Sequence, residues 1–125
     1  MTTLALSAID SVGSEVDRIR DGEDLPIGMY VLVIRHGPGA GTSYRLGEET
    51  TTIGRHPDSD LFLDDITVSR RHAILERSAS GHVVRDVGSL NGTYLNRHRV
   101  EEASLAHGDE VQVGRYRLVY LSGSG

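Results

Sequence analysis

The chain has 125 residues, 38% hydrophobic and 25% charged, enough for one domain with a core and too ordinary in composition for wholesale disorder. Eighteen acidic residues against 13 basic ones leave a formal charge of −5, which argues against broad binding to nucleic acid or an anionic membrane surface. With no cysteine present, disulfides, thiolate metal sites and a cysteine nucleophile are excluded. No apolar stretch approaches the roughly 20 residues of a membrane span. No basic-then-apolar start reads as a secretion signal, so the expectation is a soluble, cytoplasmic protein.

Residues 1–28 read as an N-terminal tail and linker. Ile9, Val12, Val16 and Ile19 recur at the spacing of one helical stripe, which predicts a weak helix, and the acidic "DGEDLP" that follows reads as a linker. From Met29 the period becomes that of strands. "MYVLVIRHG" is a short apolar run stopped by Gly37-Pro38-Gly39, and "TSYRLG", "TTIG" and "LFLDD" follow as further short strands. "HAILER" and "HVVRDV" flank a hairpin loop at Ser78-Ala79-Ser80-Gly81. A tight turn at Asn96-Arg97-His98 joins two very short strands. In "EVQVGRYRLVYL" the apolar parity switches at Gly114-Arg115, which predicts a two-residue hairpin turn. The sum is an all-β domain, a sandwich of about eleven short strands over residues 29–121, with 122–125 as a short C-terminal tail.

Three polar clusters fall in the connections: "IGRHPDSDLFL", "TVSRRHA" and "DVGSLNGTYLN". A sandwich gathers its loops at two ends, where function is usually placed. Two arginines, Arg55 and one of the Arg70-Arg71 pair, supply planar forks of donors for phosphate oxygens, Ser69 adds a hydroxyl, and Asn91 offers both a donor and an acceptor. Such a set suits a phosphorylated side chain, with nearly two negative charges and three acceptor oxygens. Adjacent Arg70 and Arg71 cannot both face one site, so one is expected to be a solvated partner of Asp64 or Asp65. Asp58, Asp60, Asp64 and Asp65 lack a calcium-loop pattern and read as a solvated acidic loop; the six histidines are scattered, so no metal or cofactor is expected.

Gly54-Arg55, Ser69-Arg70-Arg71-His72 and Asn91-Gly92-Thr93, in this order within an all-β pattern, resemble the forkhead-associated (FHA) domain, a β-sandwich that binds phosphothreonine peptides. More narrowly, "GRHPDSDLFLDDITVSRRH", "DVGSLNGTYLN" and "GDEVQVGRYRLVY" resemble the small actinobacterial FHA regulators of 2-oxoglutarate and glutamate metabolism. The resemblance implies that Arg55, Ser69 and Arg70 contact the phosphate and that Asn91 reads the peptide backbone. Gly54, His72, Gly92 and Thr93 are then scaffold, with His72 bracing the loop. It implies a non-catalytic regulator in Ser/Thr-kinase signalling. Its partners would be phosphothreonine-containing proteins, Ser/Thr protein kinases and enzymes that use 2-oxoglutarate or glutamate.

The resemblance stops at the tail. Those regulators carry paired threonines in an acidic stretch, whereas Thr2 and Thr3 here have no acidic residue beside them. Two rival readings remain. One is a constitutive, phosphate-independent interaction domain that inhibits an enzyme. The other treats Ser69, His72 and Asp86 as a catalytic set, although the serine lacks a Gly-x-Ser-x-Gly elbow and sits only three residues from its histidine.

Overall fold

The computed structural model describes residues 25–123. Among them are eleven strands, β1 (Tyr30–His36), β2 (Ser43–Leu46), β3 (Thr51–Gly54), β4 (Leu61–Phe62), β5 (Ala73–Ser78), β6 (Gly81–Asp86), β7 (Thr93–Leu95), β8 (His98–Val100), β9 (Glu102–Ser104), β10 (Glu110–Val113) and β11 (Tyr116–Ser122). They form two sheets, one ordered β9-β6-β5-β3-β4 and the other β2-β1-β11-β10-β7-β8. Every pairing is antiparallel except the short β3–β4 ladder. The all-β sandwich read from the sequence is therefore the fold. The helical stripe expected at Ile9, Val12, Val16 and Ile19 lies outside the described residues.

The core lies between the sheets. Leu32, Ile34, Leu118 and Tyr120 meet Ile53, Leu75 and Val84 there, nearly all below 2% exposed. Each of these strands sends alternate side chains inward, so two-residue periodicity is enough to fill the space. One strand escaped the sequence reading. β9 carries Glu102, Ala103 and Ser104, with no apolar alternation, and it exists because its backbone pairs with β6 at the sheet edge.

The turns fall where the composition put them. Gly114 has φ +60° and Arg115 is not in the left-handed region, the backbone signature of a II′ hairpin turn. Asn96 and Arg97 have φ 49° and 74°, so both central residues of the β7–β8 turn are left-handed, as a I′ turn requires. Asn96 locks that turn by accepting the Glu110 N–H on its Oδ1 (2.9 Å) and donating its Nδ2 to Asp109 (3.0 Å).

The fold has a second polar anchor away from these loops. Buried His82 meets the Tyr120 hydroxyl through Nδ1 (2.9 Å) and the Gly47 carbonyl through Nε2 (3.3 Å). Tyr30 packs edge-on against the same ring, with the Arg77 guanidinium 4.7 Å from the Tyr30 centroid.

Candidate functional site

Four connections converge at one end of the sandwich, and the residues singled out in the sequence lie on three of them. Arg55 follows β3, Ser69 and Arg70 lie between β4 and β5, and Asn91 lies between β6 and β7. The loops are tied together directly. The Arg55 N–H donates to the Ser69 carbonyl (3.0 Å), and the His56 N–H donates to the Arg70 carbonyl (3.2 Å). The Leu90 N–H donates to Ser69 Oγ (2.9 Å), and Asn91 Nδ2 donates to the Thr67 carbonyl (3.1 Å).

These bonds fix which atoms remain for a ligand. Arg55 spends its Nε–H on the Val68 carbonyl (3.0 Å), which aims the guanidinium and leaves its terminal nitrogens without a partner among the described residues. The Ser69 oxygen already accepts from Leu90, so its hydrogen is the part left to donate. Asn91 keeps its Oδ1 and its second N–H. Arg70 is exposed, with its carbonyl committed to His56. The site therefore presents donors toward solvent, with Asn91 adding an acceptor at its edge. Among the described residues neither Arg70 nor Arg71 makes an ion pair, and the expected solvated partnership with Asp65 is instead made by Arg115 (3.4 Å). The reason is tertiary: the β10–β11 turn, distant in sequence, folds against the β4–β5 loop.

His72 sits beneath this surface and is fully buried. Its Nδ1 accepts the Ser69 N–H (3.0 Å), which leaves the proton on Nε2 to be donated to the Gly92 carbonyl (2.8 Å). One ring thus spans the Ser69 and Asn91 loops, and burial lowers its pKa, favouring the neutral form this pattern needs. The same bonds disconnect the catalytic set considered above. The Ser69 hydroxyl is on Leu90 rather than the imidazole, and Nε2 faces Gly92 rather than Asp86.

Asp86 has a different task. Its carboxylate accepts from the Gly88 N–H (2.8 Å), the Ser89 N–H (3.0 Å), the Ser89 hydroxyl (2.5 Å) and the Thr93 hydroxyl (2.8 Å). Burial alone would raise its pKa, but these bonds, led by the Ser89 hydroxyl, outweigh it and hold the carboxyl at about 2. Ser89 Oγ in turn accepts the Gly92 N–H (2.9 Å). The staple that shapes the Asn91 loop is thus Asp86–Ser89–Gly92, with Thr93 buried at its base. The sequence reading missed Asp86 and Ser89 as scaffold. The signal was an Asp followed at two and three residues by Gly and Ser, the spacing of an Asx turn.

Two of the four aspartates read as a solvated acidic loop are also staples. Asp60 accepts the Thr52 N–H (2.9 Å), closing the β3–β4 connection. Asp65 accepts the Thr67 hydroxyl and N–H (2.9 Å for the latter), and those bonds, with Arg115, hold its carboxyl below the usual range.

Two glycines have steric reasons. A Cβ on Gly54 would stand 2.1 Å from the Arg70 carbonyl oxygen, so the β3 end and the Arg70 backbone close only over a bare Cα. Gly92 has φ +91°, and a Cβ there would also meet the Arg99 side chain at 2.8 Å. Beside Asn91 a shallow cavity of about 420 Å³ is lined by Thr67, Tyr94, Arg97, Gln112 and Arg115 among others. Ile66 and Leu90 stand on the rim, 91% and 84% exposed.

Comparison with known proteins gives this loop end its context. Residues 51–114 match the model of the FHA domain. The chain is 54% identical over 113 residues, 90% of its length and 78% of the relative's, to an oxoglutarate dehydrogenase inhibitor of Corynebacterium jeikeium. It is 57% identical over 101 residues to the glycogen accumulation regulator GarA of Mycolicibacterium smegmatis, of which it spans 64%. Among solved structures, an FHA domain studied for phosphothreonine-dependent interactions superposes with a TM-score of 0.71 at 31% identity, covering 78% of this chain and 99% of that one. The FhaA FHA domain, solved with the intracellular domain of a second protein, gives 0.67 at 33% identity, covering 73% and 98%.

Proposed function

The chain belongs to the FHA domain family, and on that premise we propose that its phosphothreonine-binding site is the loop end holding Arg55, Ser69, Arg70 and Asn91. The observation that carries this reading is the pattern of commitments: the side chains of Arg55, Ser69 and Asn91 are each anchored through one atom and keep their remaining donors for a ligand, while Arg70 is held through its backbone carbonyl with its side chain exposed. Arg55 and Arg70 supply charge-assisted bonds to the phosphate, and the Ser69 hydroxyl supplies a third donor. Asn91 pairs with the peptide backbone beside the phosphothreonine. His72, Gly54, Gly92 and Thr93 keep the loops in register without touching the ligand.

The expected affinity is micromolar, about 8 kcal/mol, which suits a short peptide that must be ordered on binding. Titration with one peptide in phosphothreonine, phosphoserine and unphosphorylated forms tests it. Tightest binding of the phosphothreonine form is the expected result, and equal binding of all three refutes the assignment.

The relatives' names, an oxoglutarate dehydrogenase inhibitor and a regulator of glycogen accumulation, support a regulatory, non-catalytic role toward a 2-oxoglutarate-handling enzyme; Ser/Thr kinases and glutamate-handling enzymes are the further partners that the family resemblance implies. A specific observation favours direct, phosphate-independent contact with such an enzyme. Ile66 and Leu90 are large aliphatic side chains held in solvent on the rim of the site, and apolar groups displayed in this way suit protein contacts. Loss of enzyme capture in Ile66→Asp, with phosphopeptide binding retained, is the expected result; unchanged capture refutes the rim contact.

A further inference from the structure

The six-stranded sheet is apolar on both faces of its central strands, and the core uses only one. On β1, Leu32 and Ile34 face the core cluster, so Val31 and Val33 face outward; on β11, Leu118 and Tyr120 face inward and Val119 and Leu121 outward. The register sets Val33 opposite Val119 and Val31 opposite Leu121. The four side chains thus form two adjacent cross-strand pairs, one patch on the outside of the sandwich. It ends sharply: Arg45 and Ser43 on β2 stand opposite Val31 and Val33, and Glu110 on β10 stands opposite Val119.

An outer antiparallel face normally alternates to polar residues because water covers it. This one does not, and its four side chains are only 0–3% exposed. Among the described residues, Leu25 and Met29 are the partly buried hydrophobic side chains packed against them. Those two also show where the chain arrives. Met29 leads directly into β1, and its carbonyl accepts the Gly123 N–H (2.9 Å) at the end of β11. The described chain therefore begins against this patch, with 24 residues preceding Leu25 in the sequence. They carry Ile9, Val12, Val16 and Ile19 at intervals of three, four and three residues. On a helix that spacing makes one stripe about 15 Å long, and a patch two strands wide is about the width one helix covers.

We propose that the N-terminal segment covers this patch, with the Ile9, Val12, Val16 and Ile19 stripe packed on Val31, Val33, Val119 and Leu121. The folded unit then begins well before residue 29, and the outer sheet face is an intramolecular docking surface separate from the phosphate-binding loops. A second copy of the chain is the poorer occupant, because four side chains fall far short of the roughly 20–30 residues a side that a stable interface buries.

Methyl NMR of the full chain tests the proposal. The expected result is through-space contact between the methyls of Val12, Val16 or Ile19 and those of Val33, Val119 or Leu121, independent of protein concentration. The Val16→Asp variant is expected to shift the Val33 and Val119 methyl signals and to lower the melting temperature, whereas Val16→Ile does neither. Absence of those contacts in the unaltered chain overturns the proposal. So does contact seen only between differently labelled copies in a mixed sample, which would assign the patch to a dimer. Unchanged methyl signals and an unchanged melting temperature in Val16→Asp would overturn it equally.

Discussion

Replacing His72 with alanine should damage stability and binding together, and the structure gives the size of each effect. The ring is fully buried and makes two hydrogen bonds, one from the Ser69 N–H and one to the Gly92 carbonyl. Truncation leaves both backbone groups without their partner, at about 1–3 kcal/mol each, and adds the cost of an unfilled space. A loss of about 3–5 kcal/mol follows, a large share of the stability of an ordinary domain. Binding should weaken at least about tenfold, the equivalent of 1.4 kcal/mol, because the Ser69 and Asn91 loops lose their common brace.

The ring also leaves a signature in acid. Burial lowers the His72 pKa below its value in the unfolded chain, so below about pH 6.5 the unfolded state takes up a proton that the folded state refuses. Stability due to this group is intact above that pH and declines as pH falls toward the folded pKa, by at most about 1.4 kcal/mol per pH unit. His82 is lowered in the same direction, first by burial, so the unaltered protein carries two such slopes and His72→Ala carries one. Urea unfolding at several values between pH 7.5 and 5, with peptide titration at 25 °C, measures all three quantities. A stability loss below about 1 kcal/mol, or an unchanged acid slope, would refute the bracing role.

The other substitutions separate ligand contacts from scaffold. Arg55→Ala should lower phosphopeptide affinity at least about a hundredfold, near 3 kcal/mol, yet cost only about 1 kcal/mol of folding stability for the Val68 bond; calorimetry and thermal melts check the pair of values. Gly54→Ala must displace the Arg70 peptide, whose carbonyl oxygen lies 2.1 Å from the new Cβ. It should destabilise by about 1–3 kcal/mol and weaken peptide binding even though residue 54 touches no ligand; normal affinity would show that the Arg70 backbone position is unimportant. Asp86→Ala should abolish a stabilisation that is present above about pH 4 and lost as pH falls toward the folded pKa of about 2. The variant's acid unfolding curve should therefore be flatter than that of the unaltered protein between pH 4 and 2, and coincident curves would contradict the staple.

Much of this protein was decided by local rules that a sequence displays. Alternation in "HAILER" and "EVQVGRYRLVYL" fixes which side chains enter the core, and Asn-Arg and Gly-Arg at the hairpin turns fix where the chain reverses, because both depend on residues close together in the chain. The three loop motifs were legible for the same reason. What sequence did not decide was which polar atoms would be spent inside. Arg115 takes Asp65 from 50 residues away, Asp60 and Asp65 turn from apparent solvated charges into loop staples, and Asp86 turns from a candidate catalytic acid into another. β9, with no apolar pattern, becomes a strand only because β6 offers an unpaired edge. Pairing of this kind is settled by distance and desolvation after the sheets have packed, and neither quantity exists along the linear chain.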